Sequence, residues 1–273
     1  MSYKLITRIK DGSVLYDHVI MDDPMEINFA SHTHDMWEIL MLVRGDISYI
    51  VEGKSYKLQR DDIVLSRSSV FHSVRPESNA TYERYNVIYD EKSLPRGIVE
   101  KIPRGVDIFR LANSEAVREI FEKIDAYSKR FSDEELCHIT KNLIEEIFYH
   151  LAISDGAAES ASVNPHVSSA LRYIKENLTT VRSIEQICDA LYITKSHLHH
   201  LFIKNIRMSP KQYINSKRLQ RARSLIRKGR RPTEVFTECG FDDYATFFRN
   251  YKKHYGYPPS LERTGITDDE IKS

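Results

Sequence analysis

The sequence predicts an α+β chain in two parts. An antiparallel β-barrel carrying a helical pair comes first, and an all-α domain of two helix-turn-helix units follows. Three observations predict this. Residues 3–89 break into short alternating runs separated by Gly- and Asp-containing turns, the pattern of a small antiparallel barrel or sandwich. From residue 114 onward the apolar residues recur every three or four positions, which is helical spacing. The net charge of +1 over 273 residues also conceals a division: residues 164–263 hold 19 Lys+Arg against 8 Asp+Glu, whereas residues 1–163 hold 20 against 28. A basic half beside an acidic one confines a phosphate-binding footprint to the C-terminal part.

Residues 3–20 alternate loosely around Asp11-Gly12, a hairpin-type turn. Runs at 37–43, 47–51, 55–58 and 63–65 are separated by Arg44-Gly45-Asp46, Glu52-Gly53-Lys54 and Gln59-Arg60-Asp61-Asp62, and alternation resumes at 70–74 and 82–89. Leu94-Pro95 and Ile102-Pro103-Arg104-Gly105 break residues 93–110 into short pieces. Two helices are then expected. Val117, Ile120, Phe121, Ile124 and Tyr127 form the apolar stripe of one; Leu136, Ile139, Leu143, Ile147 and Leu151 form that of the next, with Asp133 as its cap. Residues 154–163 are small and polar, as a linker is. The expected domains are therefore 1–153 and 164–263, with a polar tail at 264–273.

The C-terminal domain opens with a helix at 165–178 and then repeats itself. Ser183 and Thr194 are good N-caps around a first unit, in which Ile184, Ile187, Cys188 and Leu191 precede a turn and Leu198, Leu201 and Phe202 follow it. A shift of 48 residues, growing to 49 after the turn, carries Ile187 to Val235, Leu191 to Cys239, Leu198 to Phe247 and Phe202 to Tyr251. Gly240 sits where the first helix of the second unit should stop. Asp242 and Asp243 offer caps beyond it. A basic helix joins the units, with Pro210 at its first position and Gly229 past its end.

Two helices joined by a short turn can place the second in a DNA major groove. The core positions leave Lys195, Ser196, His199 and His200 outside in the first unit, and Tyr244, Ala245, Thr246, Phe248 and Arg249 in the second. Arg249 has the guanidinium that bridges guanine O6 and N7. Lys204, Lys211, Arg218, Lys252 and Lys253 are expected on phosphates, which position without specifying. Double-stranded promoter DNA is the expected macromolecular partner.

Met208-Ser209-Pro210, the run from Arg218 through Ala222-Arg223 to Leu225-Ile226, Cys239-Gly240-Phe241-Asp242, Phe247 with Tyr251-Lys252, and Gly256-Tyr257-Pro258-Pro259 resemble the AraC/XylS family of bacterial transcription regulators. Phe236, Pro232 and Phe248 depart from the residues usual there. The resemblance implies a small-molecule effector, a sugar or other metabolite, activation through RNA polymerase, and a homodimer built on the helical pair. Leu143, Ile144, Ile147 and Leu151 are the candidates for that dimer contact.

His32-x-His34-x3-Glu38-x6-Gly45 is similar to the first motif of the cupin barrel, and Asp61-Asp62-Ile63 through His72 to a degraded second motif. Asp61 stands where cupins carry Gly, and Ser68-Ser69 stands in their Pro/Gly region. In metal cupins the matching positions bind a metal, so His32, His34, Glu38 and His72 form a candidate set for a divalent ion. The other reading is a hydrogen-bonded cluster at the mouth of an effector pocket, with Trp37 and Tyr49 lining it and Tyr56, Arg67 and Tyr85 adding faces or donors. No resident cofactor is expected. A metal-dependent cupin isomerase or dioxygenase with a helical appendage is the competing class, resting on the four-residue set alone. Cys137, Cys188 and Cys239 fall on apolar helix positions, as reduced buried thiols do. No apolar run reaches about 20 residues and no signal-peptide core opens the chain; a cytoplasmic, non-membrane protein is expected.

Overall fold

The computed structural model describes residues 3–27, 29–154 and 164–264, so most of the expected linker and tail lie outside the described residues. Contacts divide the chain into two compact units, Met1–Ser162 and Val163–Ser273.

Unit 1 is built from β1 (Tyr3–Asp11), β2 (Val14–Met21), β3 (Trp37–Arg44), β4 (Ile47–Val51), β5 (Lys54–Lys57), β6 (Ile63–Ser66), β7 (His72–Pro76), β8 (Tyr82–Tyr89), α1 (Arg96–Val99), β9 (Ile108–Phe109), α2 (Ser114–Tyr127) and α3 (Asp133–Ala152). The strands form an antiparallel sheet in the order β1-β2-β8-β3-β6-β9 and a smaller one, β5-β4-β7. Alternation along β3 and β8 sorts side chains to two cores. Trp37, Ile39, Met41, Tyr85, Val87 and Tyr89 pack with Phe121, Ile144 and Phe148 of α2 and α3. Leu40, Leu42 and Tyr82 pack instead with Tyr49, Val51, Tyr56 and Val74 of the small sheet. The unit is thus three layers thick, and its central strands are buried on both faces. That is why 37–43 reads as an unbroken apolar run.

A polar tie fixes α2 to the large sheet. His18 Nδ1 lies 2.6 Å from Asp125 Oδ2 and its Nε2 3.0 Å from Glu83 Oε1, while the Tyr16 hydroxyl donates to Asp125 Oδ1 at 2.8 Å. Burial opposes the charged ring, but the hydrogen bonds and charges of Asp125 and Glu83 outweigh it and raise the His18 pKa.

Two expectations for α3 are corrected. Its cap is Ser132, one residue before Asp133, because Ser132 and Glu135 close a reciprocal capping box. The dimer candidates belong to the interior: Leu143 is 8% exposed, and Ile144, Ile147 and Leu151 are 0% exposed. They face the sheet, so they are closed to a second copy.

Unit 2 comprises α4 (Pro165–Glu176), α5 (Ile184–Leu191), α6 (Lys195–Ile206), α7 (Pro210–Arg227), α8 (Pro232–Glu238) and α9 (Tyr244–Tyr255), ending in a 3-10 helix, Pro259–Thr264. Capping boxes start α5 and α7 at Ser183 and Ser209. The turn between α5 and α6 places Tyr192 in the left-handed region at φ 54°, and Gly240, 48 residues on, repeats it at φ 89°.

Arg218 is not a phosphate contact, contrary to expectation. It is 9% exposed, and its Nε donates to the Leu178 carbonyl at 2.9 Å while Nη2 donates to that of Val181. A Cβ on Gly240 would stand 2.8 Å from Arg218 Nε and 2.9 Å from the Thr179 carbonyl. Arg223 and Arg227 then hold Glu262, with Tyr257 sharing the cluster, and this clamps the final 3-10 helix to α7.

Gly240→Ala combines left-handed strain with a clash against Arg218, and it should cost about 2 kcal/mol or more; urea unfolding of the variant measures it. A His raised above its unfolded pKa stabilises fully below that unfolded value and loses its contribution as pH rises through the folded one. The stability advantage of wild type over His18→Gln should therefore be largest near about pH 6 and shrink by about pH 9, followed by urea melts across that range.

Candidate nucleic-acid interface and inter-sheet site

In α6, capped by the Thr194 hydroxyl, Leu198 and Phe202 are 0% exposed and Leu201 is 5% exposed. That fixed face leaves Lys195, Ser196, His199, His200 and Lys204 exposed. Lys195 Nζ lies 2.6 Å from Glu185 Oε1. The pair is at the surface, where solvent screening keeps such bonds weak.

The second unit matches less evenly. Asp243 caps α9 by accepting from Thr246 N at 2.7 Å. Ala245, Arg249 and Lys252 are exposed, whereas Tyr244, Thr246 and Phe248 are half-buried. Phe236 is the cause for Tyr244: the two rings meet edge to face at 5.7 Å, and Tyr244 also packs on Phe247 and Phe248. The bulky residue at the helix crossing is thus absorbed by an aromatic cluster that draws Tyr244 in. Arg249 Nη2 donates to Thr246 Oγ1 at 3.2 Å, which lays the guanidinium along the exposed face.

Sequence reasoning passed over Tyr192. It is 96% exposed and left-handed, in the position that the internal repeat equates with Gly240. A Tyr there carries strain with no core packing in return.

In unit 1 the strand register brings His32, His34, Glu38 and His72 together: one donor atom from each lies within 4.8 Å of the others. Glu38 Oε2 is 2.8 Å from His34 Nε2, 2.9 Å from His72 Nε2 and 3.9 Å from His32 Nε2. Each ring turns its Nδ1 to a carbonyl, His34 to Met36, His72 to Val70 and His32 to Ala30. A carbonyl only accepts, so each Nδ1 carries the hydrogen and each Nε2 is aimed at the carboxylate. A carboxylate oxygen facing those nitrogens needs a proton or a cation between. Burial opposes the charged forms, yet the hydrogen bonds with His34 and His72 hold Glu38 well below its usual pKa, and the bond to Glu38 raises that of His34. Burial lowers His32. Three imidazoles, each braced through Nδ1, and one carboxylate fit a borderline divalent ion.

The aromatic candidates divide by strand face. Tyr49 stays with the cluster, its ring stacked on His72 at 6.1 Å and its hydroxyl 3.0 Å from Ser66 Oγ. Trp37 does not: it points to the other face of β3, against Phe148 at 5.9 Å. Tyr85 likewise stacks on Phe121 at 4.8 Å. Tyr56 donates to Asp107, and Arg67 donates to the Val106 and Pro103 carbonyls, so both serve the loop before β9.

A helix-turn-helix domain model matches residues 187–264 and the AraC-like ligand binding domain model matches residues 19–173, more than half of the chain. The chain belongs to the AraC family. This AraC-family regulator is 24% identical over 263 residues to the HTH-type transcriptional activator RhaR of Cronobacter sakazakii, with 90% of each chain covered. It is 22% identical over 259 residues to the uncharacterized HTH-type transcriptional regulator YfiF of Bacillus subtilis, covering 89% of this chain and 82% of that one. Among solved structures it is similar to ToxT of Vibrio cholerae at 15% identity and TM-score 0.38, covering 94% of this chain and 100% of that one. A DNA-binding domain and a ligand-binding domain in one chain make the protein a ligand-responsive DNA-binding transcription regulator. Among the described residues no helix is long and apolar enough to cross a membrane.

Tyr192→Gly should raise stability by roughly 1 kcal/mol, the left-handed penalty of a residue with a Cβ, and the midpoint of urea unfolding reports it.

Proposed function

We propose that this regulator reads promoter DNA as two adjacent major-groove segments, one through α6 and one through α9, and that a sugar or related metabolite held between its sheets sets how tightly it does so. The observation that carries this is the repeated scaffold. Buried Leu198 and Phe202 in α6 are matched 49 residues later by buried Phe247 and Tyr251 in α9, and both helices leave cationic and polar side chains outside. Lys195, Ser196, His199 and His200 meet bases or phosphates in the first segment; Ala245, Thr246, Arg249 and Lys252 do so in the second, with Arg249 on a guanine. Tyr244 serves by holding α9 on Phe236. His32, His34, Glu38, His72 and Tyr49 form the mouth of the effector site. An effector shifts DNA affinity only by the difference between its affinities for the two states.

Activation through RNA polymerase, a homodimer and residence in the cytoplasm complete the proposal. Activation is supported by relatives named as transcriptional activators. The dimer contact must use a surface other than Leu143, Ile144, Ile147 and Leu151, which are spent inside the unit.

The convergence of three imidazoles on Glu38 favours a second reading of unit 1, a metal-dependent isomerase or dioxygenase. A divalent ion held by His32, His34, Glu38 and His72 would supply Lewis-acid polarisation. Metal-free protein that still shifts promoter DNA excludes that reading.

Fluorescence anisotropy on a promoter duplex over a salt series tests the DNA proposal. Contact with six or more phosphates predicts a log–log slope of roughly −5 or steeper. Arg249→Ala should lose about 1–3 kcal/mol of preference for specific over random duplex. A flat salt response, or an unchanged preference in Arg249→Ala, contradicts it.

A further inference from the structure

We propose that Arg84, with Tyr82 and Asn86 beside it, is a carboxylate-binding site between the two sheets of unit 1, so that the effector is an anionic hydroxylated molecule of the sugar-acid type. This rests on the effector reading of that unit and narrows it.

Position comes first. β8 lies between β2 and β3 in the large sheet. Its odd residues Tyr85, Val87 and Tyr89 face the helices, while Tyr82 belongs to the inter-sheet core. Period-two alternation puts Arg84 and Asn86 on the Tyr82 face. The register agrees: Arg84 pairs with Val19 and Leu42, and Asn86 with Leu40, residues of that inter-sheet core. A guanidinium therefore enters the inter-sheet layer with aliphatic cross-strand partners, Val19 and Leu42, and the Tyr82 ring beside it.

Partners come second. Arg84 Nε is buried and makes no hydrogen bond, and the same holds for Tyr82 OH and Asn86 Oδ1. The carboxylates around β8 are already engaged. Asp17 is held by Arg8 at 2.6 Å, Glu83 by Arg44 at 2.7 Å and by His18 at 3.0 Å, and Glu38 by His34 and His72. Glu38 and Asp17 act on Arg84 by charge alone, and no ion pair closes on its Nε. Its Cζ stands 5.8 Å from the Tyr82 ring centroid, which steadies the cation without neutralising it.

The chemistry follows. A guanidinium presents a planar fork of donors matched to a carboxylate. Tyr82 OH adds a donor, and Asn86 Oδ1 an acceptor for a hydroxyl on the same ligand. A buried donor or acceptor without a partner costs free energy in the ligand-free protein, and a bound carboxylate with a neighbouring hydroxyl would recover it at Arg84 Nε, Tyr82 OH and Asn86 Oδ1.

The test uses the full chain and thermal unfolding at one pH and fixed ionic strength. Acetate, lactate, gluconate and glucuronate are compared with glucose, glucitol and sodium chloride. Wild type should show a saturable rise in Tm with carboxylates beyond that with chloride. Arg84→Met should melt no lower than wild type in chloride and lose the carboxylate response; Arg84→Lys, keeping charge but not the fork, should retain part of it. An Arg84→Met variant melting several degrees lower would make the guanidinium a structural strut and overturn the proposal. So would a wild type that treats carboxylates as it treats chloride. A neutral sugar that raises Tm equally in wild type and Arg84→Met would also overturn it, while leaving the effector reading of unit 1 standing.

Discussion

The buried guanidinium of Arg218 is the constraint on which the DNA-binding unit depends. It leaves the middle of α7 and is satisfied by the carbonyls of Leu178 and Val181, in the segment leading to α5. Against its other side lies Gly240, the turn between α8 and α9. One side chain therefore joins the approach to the first helix-turn-helix, the helix between the units and the corner of the second. Arg182 reinforces the joint by reaching the Gly240 carbonyl and Asp242. A buried charge is tolerable only when its donors are met, and breaking one partner is expensive, so the joint resists independent motion of the two units. Gly240 is required twice over, for its left-handed backbone and for the space the guanidinium occupies.

A comparable division of labour organises unit 1. Alternation along β3 and β8 gives each strand one face for the helices and one for the small sheet, with Glu38, Arg84 and Asn86 on the second. Trp37 and Glu38 are neighbours in sequence yet belong to different layers, as do Tyr85 and Arg84. The helical face is closed by aromatic packing and by the His18–Asp125 tie. The inter-sheet face collects Glu38, His72, Tyr49 and Arg84.

Much of this was legible in the chain. The 48-residue shift predicted two equivalent units, and the same left-handed turn at Tyr192 and Gly240 is its structural expression. Ser183, Thr194, Asp243 and Pro210 marked helix starts because caps are local chemistry. In the degraded second barrel motif, Asp61 and Ser69 adopt φ of 67° and 64°, so the backbone keeps a conformation that glycine would take without strain. What could not be read were choices of partner. Arg218 has the composition of a surface cation, and only tertiary contacts reveal the carbonyls that bury it. The stripe from Leu136 to Leu151 looks the same whether it meets a sheet or a second subunit. An aromatic ring such as Trp37 suits a pocket wall and a core equally, and only the strand pleat sends it to the face opposite Glu38. Arg84 was hidden for the same reason, inside an alternating run whose polar members looked solvent-facing.

Selection of bound duplexes from a random pool by the full-length protein tests the central claim most directly. If Arg218 holds the two reading helices in one frame, the selected sites will contain two informative segments at a single fixed spacing of about 10.5 base pairs. Sites with only one informative segment, or with two at variable spacing, would contradict it.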